Sequence, residues 1–223
     1  MSSIQHKFIE FCIESKVLRF GEFKTKAGRL SPYFFNAGLF NTGAMLSKLA
    51  DFYARTLIKA MEEGRIECDM IFGPAYKGIT LAAAVAMRMA ELGYDLPFAY
   101  NRKEVKDHGE GGMFVGKKLT DGEKVVIIED VMTSGKAMAE VYPKLKGAAN
   151  VDITGMIITV DRMERALEGT QSAVQAVYEK YGVPVYAIVT MEDIIQGIRD
   201  GIIPGKEHLD AMLAYREQYG VSK

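Results

Sequence analysis

The sequence is poor in cysteine, has almost no net charge and contains no long apolar run, and each of these absences excludes a class of protein. Its two cysteines, Cys12 and Cys68, have no metal-ligating neighbours, so we expect buried or half-buried thiols. A net charge of −1 gives no electrostatic case for nucleic acid or a membrane as partner. The first residues lack the apolar core of a signal peptide, and no run of about 18 apolar residues follows. We therefore expect a cytoplasmic protein in a reducing compartment.

The chain does have the composition of an ordinary globular protein, with 48% hydrophobic and 26% charged residues. Its 223 residues suit one domain, 1–223, which could bury roughly 70% of the surface of the unfolded chain. No long linker, repeat or low-complexity tract divides the sequence. A single folded unit with a normal core is predicted.

Short apolar strands and amphipathic helices alternate from residue 70 onward, which predicts βα units and a parallel sheet. The predicted strands span 70–72, 97–101, 125–128, 151–161 and 185–190. Helices are predicted at 79–91, after the strand 125–128, at 172–181 and twice near the end of the chain. A helix at 4–18, a hairpin at about 20–38 and a helix from 42 to about 63 precede them.

The most informative stretch is 125–137, where four β-branched residues run into Glu129 and Asp130 and then into a small turn at 133–135. Acids at the carboxyl end of a buried strand lie where ligands bind in open α/β sheets, and the helix start that follows favours an anion. The ordinary alternative is a pair of surface acids and a capped helix. Two adjacent carboxylates that are partly desolvated need a cation or hydroxyl donors, so a ligand site is favoured.

Other candidates are open to two interpretations each. Lys77, in a loop bounded by glycines, either holds a diphosphate or is solvated. The polar segment 102–112 is predicted to be a mobile loop, which is either simply solvated or a lid whose cations close on phosphate. Of the three aromatic residues at 33–35, at least one must face away from a single core, towards a cleft, a partner or solvent. Arg162 either binds a carboxylate or pairs with Asp161 or Glu164.

The stretch 125–137 also resembles the phosphoribosyl pyrophosphate motif of the type I phosphoribosyltransferases. Together with the segments 21–38, 73–78, 102–109 and 161–162, it makes the chain similar to the orotate phosphoribosyltransferase family up to about residue 190. The resemblance implies the type I phosphoribosyltransferase fold, a central mostly parallel sheet flanked by helices, with a small N-terminal hood formed mainly by residues 18–40.

The resemblance also implies roles for individual residues. The residues implied to bind phosphoribosyl pyrophosphate are Lys26, Tyr76, Lys77, Arg102, Lys103, Lys106, His108, Glu129, Asp130, Val131, Met132, Thr133, Ser134, Gly135, Lys136 and Ala137. Those implied to bind orotate are Phe34, Phe35, Thr133 and Arg162. Catalytic roles fall to Lys26, Lys103 and Lys106.

The implied reaction transfers a phosphoribosyl group to orotate, giving orotidine 5′-monophosphate and pyrophosphate in pyrimidine biosynthesis. Mg²⁺ would be held mainly by substrate and water near Glu129 and Asp130, with no direct protein ligand. A homodimer is implied, with the loop 102–112 shared between subunits. Two alternatives are a phosphoribosyltransferase for another base and a nucleotide-binding regulator of RNA or DNA. The chain departs from the family at Glu129, where aspartate is frequent, and at Lys136, where a small hydroxyl residue is common.

Overall fold

A six-stranded sheet lies at the centre of the computed structural model, which describes residues 3–25, 28–106, 112–132, 134–166 and 169–221. The strand order is β5-β4-β3-β6-β7-β8, and every neighbouring pair is parallel except β4 and β5. The strands are β3 (Met70–Gly73), β4 (Phe98–Lys106), β5 (Gly112–Gly116), β6 (Lys124–Ile128), β7 (Asp152–Asp161) and β8 (Val185–Thr190). The predicted α/β fold with a mostly parallel sheet is confirmed.

A separate two-stranded antiparallel sheet consists of β1 (Leu18–Lys24) and β2 (Leu30–Phe35). Its turn is closed by the Gly28 N–H, which donates to the Thr25 carbonyl oxygen at 2.9 Å, with Gly28 at a φ of 77°. The predicted hairpin is therefore confirmed. The helix before it ends earlier than predicted, because the chain has turned into β1 by Leu18.

Helices cover both faces of the central sheet. Those in the described part of the chain are α1 (Ser3–Glu14), α2 (Gly43–Glu62), α3 (Lys77–Glu91), α4 (Lys136–Ala148), α5 (Ala173–Tyr181), α6 (Met191–Arg199) and α7 (Leu209–Tyr219). None of these helices is both long enough and apolar enough to cross a membrane. Helix α2 begins, as predicted, at a threonine cap: the Thr42 hydroxyl accepts from the Met45 N–H at 3.2 Å.

Strand β6 is buried on both faces, as its unbroken apolar run predicts. Val126 and Ile128 belong to one core, shared with α1, α2, α3 and α6, while Val125 and Ile127 belong to a second core, shared with α4 and α5. Side chains of a strand alternate between its faces, so a strand covered by two helical layers needs apolar residues at every position. This burial brings the residues that follow Ile128 to the middle of the sheet's edge.

Strand β4 corrects the prediction of a loop at 102–112. The strand continues to Lys106, and β5, which was not predicted, pairs with it antiparallel across a register shift between Asn101 and Lys106. Lys103 and Glu104 are exposed and lie within this register shift, so the hairpin presents polar side chains there at the edge of the sheet. Residues 107–111, including His108, lie outside the described residues.

Candidate active site

The acid pair after β6 is held by its backbone. The Glu129 N–H donates to the Ile157 carbonyl oxygen at 3.1 Å, and the Asp130 carbonyl oxygen accepts from the Thr159 N–H at 2.8 Å and its hydroxyl at 2.5 Å. On the other side, the buried Tyr53 hydroxyl donates to the Glu129 carbonyl oxygen at 2.6 Å. Tyr53 was predicted only as part of an apolar helix stripe, and nothing in its spacing indicates this contact with the site.

The two carboxylates are nearly removed from solvent, with residue exposures of 9% for Glu129 and 8% for Asp130. Burial raises the pKa of Glu129 to about 7, and the neighbouring Asp130 charge adds to the rise. The Glu129 Oε1 atom accepts from the Asp130 N–H at 3.0 Å, while Asp130 Oδ2 lies 2.5 Å from Lys77 Nζ. Lys77 therefore supplies, at Asp130, the cation that the two carboxylates were predicted to need.

Lys77 reaches Asp130 because the chain before it turns very tightly. A Cβ atom on Gly73 would overlap the carbonyl of Gly78, and one on Gly78 would lie 2.6 Å from Pro74 Cδ and 2.9 Å from the Ile128 carbonyl oxygen. Only glycine fits such close backbone contacts. Helix α3 consequently starts at Lys77, two residues before the predicted start, and the predicted glycine-bounded loop is shorter than expected.

Asn101, which sequence reasoning missed as a site residue, fixes the same loop from the neighbouring strand. It is 4% exposed, its Oδ1 accepts from the Ala75 N–H at 3.1 Å, and its Nδ2 donates to the Arg102 carbonyl oxygen at 3.0 Å. A polar residue at the end of the predicted strand was the available signal. Tyr76, predicted to contact ligand, is 71% exposed beside this loop.

The turn after the acids leads into the open end of α4. Gly135 takes a left-handed conformation with a φ of 67°, and it offers no side-chain cap to the first turn of the helix. The first N–H groups of a helix lack partners inside the helix and attract anions. A cavity of about 180 Å³ is lined here by Glu129, Asp130, Val131, Met132, Ser134, Gly135, Lys136, Ala137, Met138 and Met156. Thr133 lies outside the described residues.

A second group of predicted residues meets on α4 at Glu140. Lys103 Nζ lies 2.9 Å from Glu140 Oε2, and Lys136 Nζ lies 3.8 Å from Oε1. Hydrogen bonding to Lys103 is the main cause that lowers the pKa of Glu140. The Lys136 side chain is 79% exposed, so its charge lies mostly in water. The structure thus brings Lys103 and Lys136 together through an acid that sequence reasoning missed.

The remaining predicted cations of this region are described in part. Arg102 Nη1 donates to the Gly112 carbonyl oxygen at 3.0 Å, which ties the two strands of the edge hairpin. The backbone of Lys106 pairs with Gly112, but its side chain is outside the described part of the structure. Lys26 is outside the described residues altogether.

The three aromatic residues of β2 divide between two faces, as predicted. Tyr33 is 1% exposed, Phe35 packs partly against the core, and Phe34 stacks on Phe23 with ring centroids 5.5 Å apart. Arg162 lies against Tyr33, with its guanidinium carbon 4.5 Å from the ring centroid. The structure therefore brings Arg162 to the strand that carries Phe34 and Phe35.

Arg162 pairs with Glu164, one of the two acids proposed as its partner. Its Nε donates to Glu164 Oε1 at 2.9 Å. Burial alone would lower the pKa of Arg162, but Tyr33 and Glu164 raise it above its usual value. The guanidinium is charged and only 19% of its side chain is exposed. A fixed, partly buried guanidinium can bind a carboxylate through two parallel hydrogen bonds.

Comparison with known proteins extends these observations over nearly the whole chain. Residues 44–183 match the phosphoribosyl transferase domain family. The chain is 53% identical to the orotate phosphoribosyltransferase of Methylibium petroleiphilum, covering 96% of this chain and 92% of that protein. It is 51% identical to that of Chromobacterium violaceum, covering 99% of each. The crystal structure of an orotate phosphoribosyltransferase from Francisella tularensis is similar with a TM-score of 0.86 and 42% identity, over 96% of this chain and 100% of that one.

Proposed function

Because the chain belongs to the orotate phosphoribosyltransferase family, it transfers the 5-phosphoribosyl group from phosphoribosyl pyrophosphate to orotate, and we propose that it does so in the cleft at the ends of β3 and β6. The products are orotidine 5′-monophosphate and pyrophosphate, in pyrimidine biosynthesis. The observation that carries the location is the buried Glu129–Asp130 pair, which lies between Lys77 and the open start of α4. The acids can accept hydrogen bonds from sugar hydroxyls, Lys77 can pair with a diphosphate, and the N–H groups at the start of α4 can bind a phosphate.

The donor substrate is proposed to lie along this turn. Glu129 and Asp130 accept hydrogen bonds from the ribose hydroxyls, and the N–H groups that begin α4 hold the 5′-phosphate. The residues proposed to contact phosphoribosyl pyrophosphate are Lys26, Tyr76, Lys77, Arg102, Lys103, Lys106, His108, Glu129, Asp130, Val131, Met132, Thr133, Ser134, Gly135, Lys136 and Ala137. The cavity of about 180 Å³ beside the acid pair supports this placement for part of the set.

The acceptor base is proposed to lie between the hood and the end of β7. Phe34 and Phe35 flank the ring of orotate, Arg162 pairs with its carboxylate, and Thr133 completes the set. Support comes from Arg162, whose guanidinium is fixed against the strand that carries the two phenylalanines. Orotate, a flat anion, suits an aromatic strand beside a buried cation.

The reaction needs no protein nucleophile. Displacement at the anomeric carbon builds positive charge on the ribose ring and negative charge on the departing diphosphate, so preorganised charges lower the barrier. Lys26, Lys103 and Lys106 are proposed to meet the diphosphate charge, together with Lys77. In the described structure Lys77 and Lys103 are each paired with an acid, so the incoming diphosphate must compete for both ammonium groups.

Mg²⁺ is proposed as the cofactor, and the acids present can bind it through its water ligands. Among the described residues no group of three or more histidine, cysteine, aspartate or glutamate side chains could hold a metal ion. Mg²⁺ keeps several waters and is commonly bound through one or two carboxylates plus substrate phosphates. Glu129 and Asp130 can receive such waters. When bound, the ion would offset charge on the diphosphate, while this chain's residues orient the substrate and exclude water.

Further proposals concern the assembly and organisation of the protein. We propose a homodimer in which residues 102–112 reach the neighbouring subunit's site, a single domain spanning 1–223 with residues 18–40 as its hood, and a cytoplasmic location. The two-stranded sheet β1–β2, which pairs with no strand of the central sheet among the described residues, supports the hood. Free, buried Cys12 and Cys68 thiols support a reducing compartment.

The test is an assay of the purified protein with Mg²⁺, phosphoribosyl pyrophosphate and one base at a time. Orotate should be consumed, while uracil, hypoxanthine and adenine should not, because they offer no carboxylate to Arg162. Consumption of a purine at the rate of orotate, or none of orotate, would contradict the function. A gel-shift with mixed RNA and DNA checks the regulator alternative and should show no binding.

A further inference from the structure

Glu164 contacts one edge of the Arg162 guanidinium. Arg162 Nε donates to Glu164 Oε1 at 2.9 Å, and Nη2 lies 2.7 Å from the same oxygen. The distance to Nη2 marks an ion pair but not a hydrogen bond, since Nη2 is buried without a hydrogen-bond partner among the described residues. A guanidinium presents two forks, one with Nε and one at its end. Glu164 faces the first fork, so a substrate carboxylate would have to use the end fork.

Tyr33 fixes the same carboxylate from the hood. Its hydroxyl donates to Glu164 Oε1 at 3.0 Å while its ring lies beneath the Arg162 guanidinium, 4.5 Å from the guanidinium carbon. Burial raises the pKa of Tyr33 well above its usual value, so the phenol stays a neutral donor. Because Tyr33 directly precedes Phe34 and Phe35, Glu164 links the strand that carries these rings to the end of β7.

Glu164 also contacts a second guanidinium, that of Arg29. Arg29 Nη1 lies 3.6 Å from Glu164 Oε2, with 13% of the Arg29 side chain exposed. Arg29 is held in turn against the Tyr219 ring, 4.7 Å from its centroid. Glu164 is thus shared between two guanidiniums in a partly buried place, and a substrate carboxylate at Arg162 would add a second negative charge beside these two cations. Without Glu164 the two guanidiniums would repel each other.

We propose that Glu164 is a positioning residue that orients Arg162 towards the carboxylate of the acceptor base and that, through Tyr33, sets Arg162 relative to Phe34 and Phe35. The proposal rests on the proposed function, which supplies the carboxylated base. It assigns Glu164 no contact with substrate. The effect of losing Glu164 should therefore be confined to the acceptor side of the reaction.

Steady-state kinetics of Glu164→Gln test this. The amide keeps the size and one acceptor oxygen but loses the charge that holds Arg162 and Arg29 together. We expect the KM for orotate to rise about tenfold, in line with the loss of a charge-assisted hydrogen bond, with the KM for phosphoribosyl pyrophosphate and kcat each within about twofold. The matched control is Asp51→Asn, another acid between two arginines, Arg55 and Arg88, which should leave all three constants unchanged.

A second variant, Tyr33→Phe, keeps the ring and removes only the hydroxyl that donates to Glu164. It should raise the orotate KM in the same selective way by about threefold, and it serves if Glu164→Gln does not fold. An unchanged orotate KM in these variants would overturn the proposal, since Glu164 would then not orient Arg162. A lower orotate KM would overturn it as well, since Glu164 would then compete with substrate for Arg162. An equal rise in both KM values would also overturn it, as a general loosening of the hood. A wild-type protein inactive on orotate would sink the proposed function itself, before any variant is compared.

Discussion

Replacing Glu129 with glutamine should make the ligand-free protein more stable at pH 8 while weakening its binding of phosphoribosyl pyrophosphate. The Glu129 carboxyl group is 9% exposed and lies beside a second acid, and burial is the main cause that raises its pKa to about 7. Its ordinary pKa is 4.5. A group that is unfavourable in the empty protein but needed for substrate is expected at an active site.

The size and sign of the effect follow from the two pKa values. Below pH 4.5 the carboxyl is protonated in both the folded and the unfolded chain, and Glu129 does not penalise folding through its charge. Between pH 4.5 and about 7 the unfolded chain has lost a proton that the folded chain keeps, so stability falls as pH rises. At about 1.4 kcal/mol per pKa unit, the full penalty above pH 7 is of the order of 3 kcal/mol.

The assay is thermal unfolding of both proteins from pH 4 to pH 8.5. Glutamine can keep the hydrogen bond from the Asp130 N–H, so the variant should match the wild type at pH 4 and unfold several degrees higher at pH 8.5, at about 2–4 °C per kcal/mol. Glu217→Gln, on an exposed helix face, is the control and should show no such pH-dependent gain. A difference that stays constant with pH, or a variant less stable at pH 8.5, would show that the buried Glu129 charge does not penalise folding. Phosphoribosyl pyrophosphate should bind about tenfold or more weakly to Glu129→Gln, because a charged acceptor is lost.

Three other substitutions test the support of the site and its charges. Tyr53→Phe should lower the free energy of unfolding by about 1–3 kcal/mol in denaturant titrations, because the Glu129 carbonyl loses a buried donor. Gly73→Ala should abolish activity and destabilise the fold, since its Cβ would overlap the Gly78 carbonyl; circular dichroism and the orotate assay measure both. Lys106→Ala should lower kcat by about 10²–10³ in steady-state kinetics, if its ammonium group meets the developing diphosphate charge.

Each of these has a control in a place where the structure predicts little effect. Tyr178→Phe alters a tyrosine that is 61% exposed and should leave stability unchanged. Gly147→Ala adds a Cβ with no atom within 4 Å inside α4, so folding and activity should persist. Lys118→Ala removes an exposed cation away from the site and should keep a normal kcat. If any variant of the first set behaves like its control, the contact assigned to that residue is wrong.

The sheet could be predicted from sequence because burial imposes a pattern on single strands. Strand β6 needs apolar residues on both faces, and the acids that follow it had to lie at the sheet's edge. Strand β5 escaped prediction although Met113, Phe114 and Val115 are apolar, because three apolar residues between glycines are too few to show a period. Its pairing with β4 and the contact of Phe114 with Phe72 appear only in the folded chain. The early start of α3 at Lys77 depends on contact between Gly73 and Gly78, and local propensity does not show it.

The residue types of the site could be predicted from the sequence, but the residues that each side chain contacts could not. Sequence reasoning picked out Lys77 and Lys103 as cations, but their pairing with Asp130 and Glu140 depends on how separate elements pack. For Arg162 the sequence left open a pairing with Asp161 or with Glu164, and the structure shows the pair with Glu164, which also accepts a hydrogen bond from Tyr33 in β2. Contacts between elements distant in sequence carry no periodic signal, so Tyr53 looked like a core residue only.

A crystal structure with orotidine 5′-monophosphate bound tests the central claim most directly. The 5′-phosphate should lie on the N–H groups of residues 134–137, the ribose hydroxyls on Glu129 and Asp130, and the base carboxylate on the end fork of Arg162. Phosphate bound away from the start of α4, or a base that does not reach Arg162, would contradict it.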